Sequence, residues 1–380
     1  MINKMTRELL KDELDFAYER IFESLDEFEV LVPSAVSTDY HYAAVENRDW
    51  TDGFWTGMLH LANEYRNSAK IQMVISKQLT VFQKRLDHEI VLNHHDLGFL
   101  YSPSAVAEYR TNFDQDAKQM AIQAAEVLMR RYQPQAKIIQ AWGELSDPDQ
   151  QGRMIIDCNM NLPLLFFSSQ VTGNLAYYQA AKNHLKRAQK FLVRHDGSTY
   201  HTFYMDTKTG APRFGRTAQG YSDESCWARG QSWAIYGFAL GYRYLKDASL
   251  LETAKVVADY FISKCPADFV CYWDLSFGTD SSEERDTSAA AVAASGLLEL
   301  AQQLPVTDPK KSQYENFALE IIRSLAQNYT TRGIAGSNGI LTQGVYSKPE
   351  NNGVDECTTW GDYFYFEALL RSYQSWLSYW

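Results

Sequence analysis

Arg153-Met-Ile-Ile-Asp157-Cys158-Asn159-Met160-Asn161-Leu162-Pro163-Leu164-Leu165-Phe166-Phe167 sets a lone carboxylate between an apolar run and the start of a longer apolar segment. Leu162, Leu165 and Phe166 fall at i, i+3 and i+4, the stripe of a helix packed on a core, and Pro163 is tolerated in the first turn. Asp157 therefore sits near the start of a buried helix. Two readings compete: a helix cap, whose pKa the helix dipole lowers, or a working acid. Taken alone the residue favours the cap, so the rest of the chain must decide.

The same local pattern, a polar or acidic residue beside Gly, Asn or Ser and then an apolar helical run, recurs five times. It opens Trp50-Thr51-Asp52-Gly53-Phe54-Trp55, His94-His95-Asp96-Leu97-Gly98-Phe99, Trp227-Ala228-Arg229-Gly230-Gln231-Ser232-Trp233, Arg285-Asp286-Thr287-Ser288 and Trp360-Gly361-Asp362-Tyr363. Marked at 52, 96, 157, 229, 286 and 362, the copies are 44, 61, 72, 57 and 76 residues apart. Between them lie more charged helices with an amphipathic stripe, such as Gln115 to Gln133 (Met120, Ala121, Ala124, Val127, Leu128) and Leu250 to Lys264 (Leu251, Ala254, Val257, Ala258, Phe261). Six pairs of one apolar and one amphipathic helix close into an all-α (α/α)6 toroid, which leaves no apolar end exposed. If the inner helices all start at one end, the polar copy starts converge on one mouth. Asp52, Asp286 and Asp362 read as caps. The long junctions 200–226 and 334–359 read as functional loops. No segment resembles a linker, so residues 1–380 are expected to form a single domain.

Composition narrows the function. Nine Trp and 24 Tyr among 380 residues suit an aromatic cleft for flat, amphipathic ligands such as sugars. A net charge of −11 with no basic block argues against nucleic acid. The charged first residues lack a signal-peptide core, no run is long enough to span a membrane, and the five cysteines (158, 226, 265, 271, 357) form no Cys-x-x-Cys pair. These point to a cytoplasmic protein with reduced thiols and no membrane partner.

Asp96 and Asp157, at the starts of neighbouring inner helices, are the leading acid/base candidates, because two acids facing one cavity push their pKa values apart. Adjacent histidines on an extended segment point to opposite sides and no second His follows at helical spacing, so His94-His95 is not read as a metal site. Arg229 at a helix start is disfavoured by the dipole and needs a partner: a bound carboxylate, Asp223 or Glu224. Trp50, Trp142 and Trp233 are either core or the floor of a sugar site. No phosphate loop and no Ser-His-Asp arrangement with elbow glycines is present.

The motifs Trp-Thr-Asp-Gly-Phe-Trp (50 to 55), His-His-Asp-Leu-Gly-Phe-Leu-Tyr-Ser (94 to 102), Ile-Ile-Gln-Ala-Trp-Gly (138 to 143), Ile-Ile-Asp-Cys (155 to 158), Asn-Leu-Pro-Leu-Leu (161 to 165), Tyr-His-Thr-Phe-Tyr (200 to 204), Trp-Ala-Arg-Gly-Gln (227 to 231) and Trp-Gly-Asp-Tyr (360 to 363) stand in order along the chain. Through them the sequence, from Asn47 to Tyr373, resembles the unsaturated glucuronyl hydrolases, family 88 of the glycoside hydrolases. That resemblance implies an (α/α)6 barrel and a short, lyase-generated oligosaccharide or disaccharide as substrate, with a C4=C5 double bond in its terminal uronic acid. It implies hydration of that vinyl ether, not attack at the anomeric carbon, so the usual two-carboxylate stereochemical logic does not apply. By resemblance Asp157 protonates C4 and then helps water add at C5, while Asp96 holds ring hydroxyls. His201, Gln219 and Arg229 are expected to contact the sugar and its carboxylate, and Trp50, Trp142, Trp233 and Tyr346 to shape the pocket. His95 and Ser347 complete the expected binding set, and no metal or other cofactor is implied.

The chain departs from the subset of that family that handles sulfated disaccharides. Ala218 stands where those enzymes have Arg, and Ser347-Lys348-Pro349-Glu350-Asn351-Asn352 stands where they have a Ser-x-x-Ser-x-Lys loop. Glu350 repels a sulfate and Ala218 cannot bind one, although Lys348 offers partial compensation, so unsulfated or differently sulfated substrates are expected to be preferred. The rival readings are an unsaturated rhamnogalacturonyl hydrolase acting on pectin fragments, a non-catalytic sugar-binding toroid, and a sugar epimerase using His95 and His201 as bases.

Overall fold

The inner helices are apolar nearly all round, as helices buried on every side must be: in the helix that follows Asp157, residues Leu162 to Ser169 are all buried. The structure, a computed structural model, describes residues 5–278 and 280–380. In chain order its helices are α1 (Arg7–Glu23), α2 (Gly53–Tyr65), α3 (Ala69–Asp87), α4 (Leu97–Tyr101), α5 (Ala107–Asn112), α6 (Gln115–Met129), α7 (Leu162–Thr172), α8 (Leu175–Phe191), α9 (Ala228–Leu245), α10 (Ala248–Lys264), α11 (Thr287–Gln303), α12 (Pro309–Asn328) and α13 (Thr359–Tyr373). A π turn over Ser102–Val106 joins α4 to α5, making one inner element of the two. Around the ring α2 packs on α4, α4 on α7, α7 on α9, α9 on α11 and α11 on α13, and α13 returns to α2. The outer helices α1, α3, α6, α8, α10 and α12 each pack against this ring, and the buried core runs from Leu10 to Trp380. The expected toroid of six helical pairs is the observed architecture.

Capping differs between the layers but does not divide them. All outer helices but α3 carry side-chain caps, Thr6, Asp114, Asn174, Asp247 and Asp308 each accepting a first-turn amide, and of the inner helices α11 and α13 are capped, by Asp286 and Thr358. Inner helices α2, α4, α7 and α9 have none. Of the three aspartates read as caps, Asp286 caps α11 through Ser288 and Ala289. Asp52 does not: buried, it takes the Asp49 amide at 2.7 Å and pairs with Arg85 at 3.2 Å. Nor does Asp362, which lies inside α13 and accepts the Ile340 and Leu341 amides and the Tyr42 hydroxyl. Each ties down an incoming loop whose buried amides need an acceptor more than the helix end does.

Short strands decorate the mouth: β1 (Val32–Pro33), β2 (Ala44–Val45), β3 (Tyr132–Gln133), β4 (Ile138–Ile139), β5 (Arg153–Ile155), β6 (Thr202–Met205), β7 (Pro212–Arg216), β8 (Gly344–Ser347) and β9 (Asn352–Glu356). β6 is central in an antiparallel β5-β6-β7 sheet, with Arg153 opposite Tyr204 and Ile155 opposite Thr202. β8 and β9 form a hairpin. The two long junctions are thus ordered ribbons that carry side chains to the mouth. Among the described residues no helix is long and apolar enough to cross a membrane.

Candidate active site

α4 and α7 meet closely because Gly98 lacks a side chain. A Cβ there would stand 2.3 Å from the Asn161 Cα, far inside any tolerable contact. Asn161 locks the junction, its Oδ1 accepting the Phe99 amide at 2.8 Å and its Nδ2 reaching Asp96 Oδ1 at 3.5 Å. The carboxylate that precedes α4 is thereby set beside the one in the 3-10 turn (Ile156–Met160) that precedes α7.

Between the two lies His95, whose Nε2 is 3.2 Å from Asp96 Oδ1 and 3.4 Å from Asp157 Oδ1. Burial opposes the charge on His95, but Asp96 and then Asp157 hold its pKa well above the ordinary imidazole value. Burial would likewise raise Asp96, but the His95 charge and the contacts from His94 and His95 outweigh it and hold Asp96 below the usual carboxylate range. For Asp157 burial wins: with the like charge of Asp96 it pushes the carboxyl up to about 7, against His95 and Arg229. One acid is kept ionised and its neighbour poised near neutrality. Asp157 caps nothing, and its Oδ1 has no hydrogen-bond partner among the described residues. Ligand atoms of His95, Asp96 and Asp157 lie within 4.8 Å of one another, near enough to hold a cation. A cationic imidazole between two carboxylates already balances that charge. His94 reaches the same carboxylate, its Nδ1 3.3 Å from Asp96 Oδ2 and 3.1 Å from the Asp96 amide, with Nε2 on the Val91 carbonyl at 2.9 Å, so the adjacent histidines converge on Asp96 instead of pointing to opposite sides.

These groups open into a cavity of about 480 Å³, lined also by Trp50, Trp142, Arg153, His201, Ala218, Gln219, Trp227, Arg229, Trp233, Tyr346 and Glu350. His201 is held neutral in one tautomer. Its Nδ1 accepts the Ala218 and Gln219 amides at 3.0 and 3.2 Å, which leaves the proton on Nε2. Burial, then Arg229, Arg153 and His95, lower its pKa to about 3. Its ring lies 4.4 Å from that of Trp227. Arg229 finds its partner in Asp286, at 3.6 Å, and not in Asp223 or Glu224. It also donates to the carbonyls of Val345 and Tyr346 and to Gln219 Oε1, so it pins the β8 strand to the start of α9.

Trp50 donates to the Tyr346 hydroxyl at 3.0 Å and packs at a tilt against Phe99 and Trp360. Trp233 is almost wholly buried, so it forms floor more than platform. Of the residues proposed from sequence only Ser347 is off the wall. Strand alternation sends Tyr346 into the cavity and Ser347, fully buried, to the other face. Lys348 is likewise unavailable, being paired with Glu284. Sequence reasoning passes over Arg153 and Trp227. For Arg153 the signal exists, since a cation in an apolar run must find something to hold.

The family model for Glycosyl Hydrolase Family 88 matches residues 32–298. The chain belongs to that family. Over 99% of its length, and 95% of the relative's, it is 42% identical to an unsaturated chondroitin disaccharide hydrolase of Streptococcus pneumoniae. Its fold superposes on the crystal structure of an unsaturated glucuronyl hydrolase from Streptococcus agalactiae with a TM-score of 0.97, at 43% identity, covering 100% of this chain and 95% of that one. A variant of the S. agalactiae enzyme complexed with dGlcA-GalNAc6S matches with a TM-score of 0.89 at 40% identity, covering 100% and 95% of the two chains. With membership comes the class: a glycoside hydrolase of the unsaturated glucuronyl type.

Proposed function

We propose that the chain releases the terminal 4,5-unsaturated glucuronic acid from lyase-generated glycosaminoglycan disaccharides and short oligosaccharides by hydrating the C4=C5 vinyl ether. The observation that carries the mechanism is the divided pair: Asp157 with its carboxyl at about 7 beside an ionised Asp96, on the wall of one cavity. A donor to carbon must hold its proton near neutral pH and give it up in the transition state. Asp157 supplies the proton, and the π pair of C4=C5 forms the new C4–H bond, leaving positive charge at C5 shared with the ring oxygen. The carboxylate then takes a proton from water as the water oxygen bonds to C5. The C5 hemiketal opens to a ketone, and the hemiacetal left at C1 expels the remaining sugar as an alcohol.

In this reading Asp96 accepts hydrogen bonds from ring hydroxyls and keeps Asp157 protonated. His201 Nε2–H and the Gln219 amide donate to the substrate, and Trp50, Trp142, Trp233 and Tyr346 bound its rings. Relatives named for chondroitin disaccharides support that substrate class. Five unpaired thiols, four of them buried, suit a cytoplasmic setting.

The test follows the ultraviolet absorbance of the conjugated double bond as purified protein meets an unsaturated chondroitin disaccharide. Absorbance is expected to fall with the native chain and to persist with Asp157→Asn. Turnover of pectin-derived but not glycosaminoglycan-derived disaccharides would select the rhamnogalacturonyl reading. Saturable binding without product would select a binding toroid.

A further inference from the structure

Two guanidinium groups line the cavity, and they are not equivalent. Arg229 is committed to the protein, with Asp286 at 3.6 Å to offset its charge and three carbonyl oxygens on its terminal nitrogens. Arg153 is not. Its Nε donates to the neutral Tyr204 hydroxyl at 2.7 Å, and its guanidinium lies over the Trp142 ring at 4.8 Å. Its Nη1 is buried with no hydrogen-bond partner, the residue is 9% exposed, and among the described residues no carboxylate pairs with it. A buried cation without an anion is costly to keep. A cation of this kind on a cavity wall is a site for an anion that arrives with the ligand.

We propose that Arg153, seated on Trp142 and Tyr204, binds a sulfate ester carried by the sugar that leaves. This rests on the reading given under Proposed function and extends it to the second ring. Arg153 stands at the far end of β5, whose other end leads into the turn that carries Asp157. Three residues of mostly extended chain separate them, a span of roughly 10 Å, which carries Arg153 past the ring that receives the proton. In a glycosaminoglycan disaccharide the carboxylate belongs to the uronate, so an anion on the leaving hexosamine is a sulfate. Arg153 is also distinct from the Ala218 position: β6 separates β5 from β7, and Ala218 follows β7, while both residues line the one cavity. The chain thus lacks a cation at position 218 and supplies one at position 153.

The test is a panel of unsaturated chondroitin disaccharides, unsulfated, 4-sulfated and 6-sulfated, turned over by the native chain, Arg153→Gln and Arg153→Lys. Binding of the same panel to Asp157→Asn, with and without Arg153→Gln, is measured by calorimetry. For at least one sulfated isomer Arg153→Gln is expected to lower kcat/KM at least about tenfold more than for the unsulfated disaccharide. The loss should fall mainly in KM, with Arg153→Lys intermediate because it keeps the charge but not the fork. An equal loss across the whole panel, or none on any sulfated isomer, in variants that melt with the native chain overturns the proposal. Should Arg153→Gln not fold, Arg153→Lys carries the same comparison, a weakened preference for sulfate being expected and an unchanged one refuting. If the native chain turns over none of the panel, the proposed activity fails. The calorimetric comparison still decides the role of Arg153: tighter sulfated binding that depends on it supports the site, and binding indifferent to it does not.

Discussion

The two ends of the helical ring treat buried charge in opposite ways. Where α9, α11 and α13 end, Arg371 donates to Glu299 at 3.1 Å, to Glu367 at 3.1 Å and to the Tyr236 hydroxyl at 2.6 Å. Arg243 joins Glu299 and the Trp380 carbonyl, and the Trp380 indole donates to Glu367 at 2.8 Å. Both arginines meet carboxylates there. Where the inner helices begin, Asp157 Oδ1, Arg153 Nη1 and Asp286 Oδ2 are buried with no hydrogen-bond partner among the described residues, and His95 Nε2 meets its two carboxylates at 3.2 and 3.4 Å. The same residue types serve both ends. What separates them is completeness: the arginines beside the smaller cavity of about 310 Å³ at the far end meet carboxylates, whereas the unpartnered groups lie at the mouth, around the cavity of about 480 Å³.

Removing a charge should therefore have opposite consequences at the two ends. At the mouth, Asp157→Asn is expected to lower turnover on the order of 10³-fold while melting no lower than the native chain, since it discards a poorly compensated carboxylate. Activity measured beside a thermal melt checks both halves. At the closed end, Glu299→Leu should cost about 3 kcal/mol or more in denaturant unfolding, because it leaves two arginines short of an acceptor. Turnover per folded molecule is expected to stay within about twofold.

The pH response sharpens the contrast further. Asp157 is raised to about 7 in the folded chain, against about 3.9 when unfolded. The folded state thus keeps a proton that the unfolded state releases. Its favourable contribution is present below about pH 4 and is lost as pH rises through 7. The stability of the native chain relative to Asp157→Asn should fall across that window, and turnover should decline on its alkaline side as the proton donor is lost. Denaturant melts of both proteins at a series of pH values, with a pH–rate profile, test this. The smallest effect concerns Glu350, exposed at the cavity rim. Glu350→Gln should raise kcat/KM for sulfated disaccharides about two- to fivefold, as removal of a screened surface charge permits.

Much of this arrangement was legible in the chain itself. Hydrophobic period and recurrence give the toroid, because an inner helix must be apolar all round and an outer one only on one face. The polar copy starts locate the mouth, and the family motifs name nearly all of the wall. What escaped depends on the third dimension. That Asp362 and Asp52 hold loops instead of capping helices is decided by which amides fold back on them. The partner of Arg229 proved to be Asp286, a residue 57 positions away along the chain that the ring brings alongside. Ser347 fell to a one-residue question of strand phase, which composition cannot answer. Arg153 stood in the most informative stretch of all, yet its want of a counter-charge is visible only once every neighbour is placed.

Gly98 has a further meaning. The backbone contact it permits fixes the separation of two helix starts, and that separation sets how strongly Asp96 acts on Asp157. The acidity of the proton donor is thus tuned by a residue that has no ionisable group and touches neither proton nor sugar. A methyl group at position 98 would act as a spacer between two titrating acids, and a steric substitution would be read out as a change in the pH at which the enzyme works.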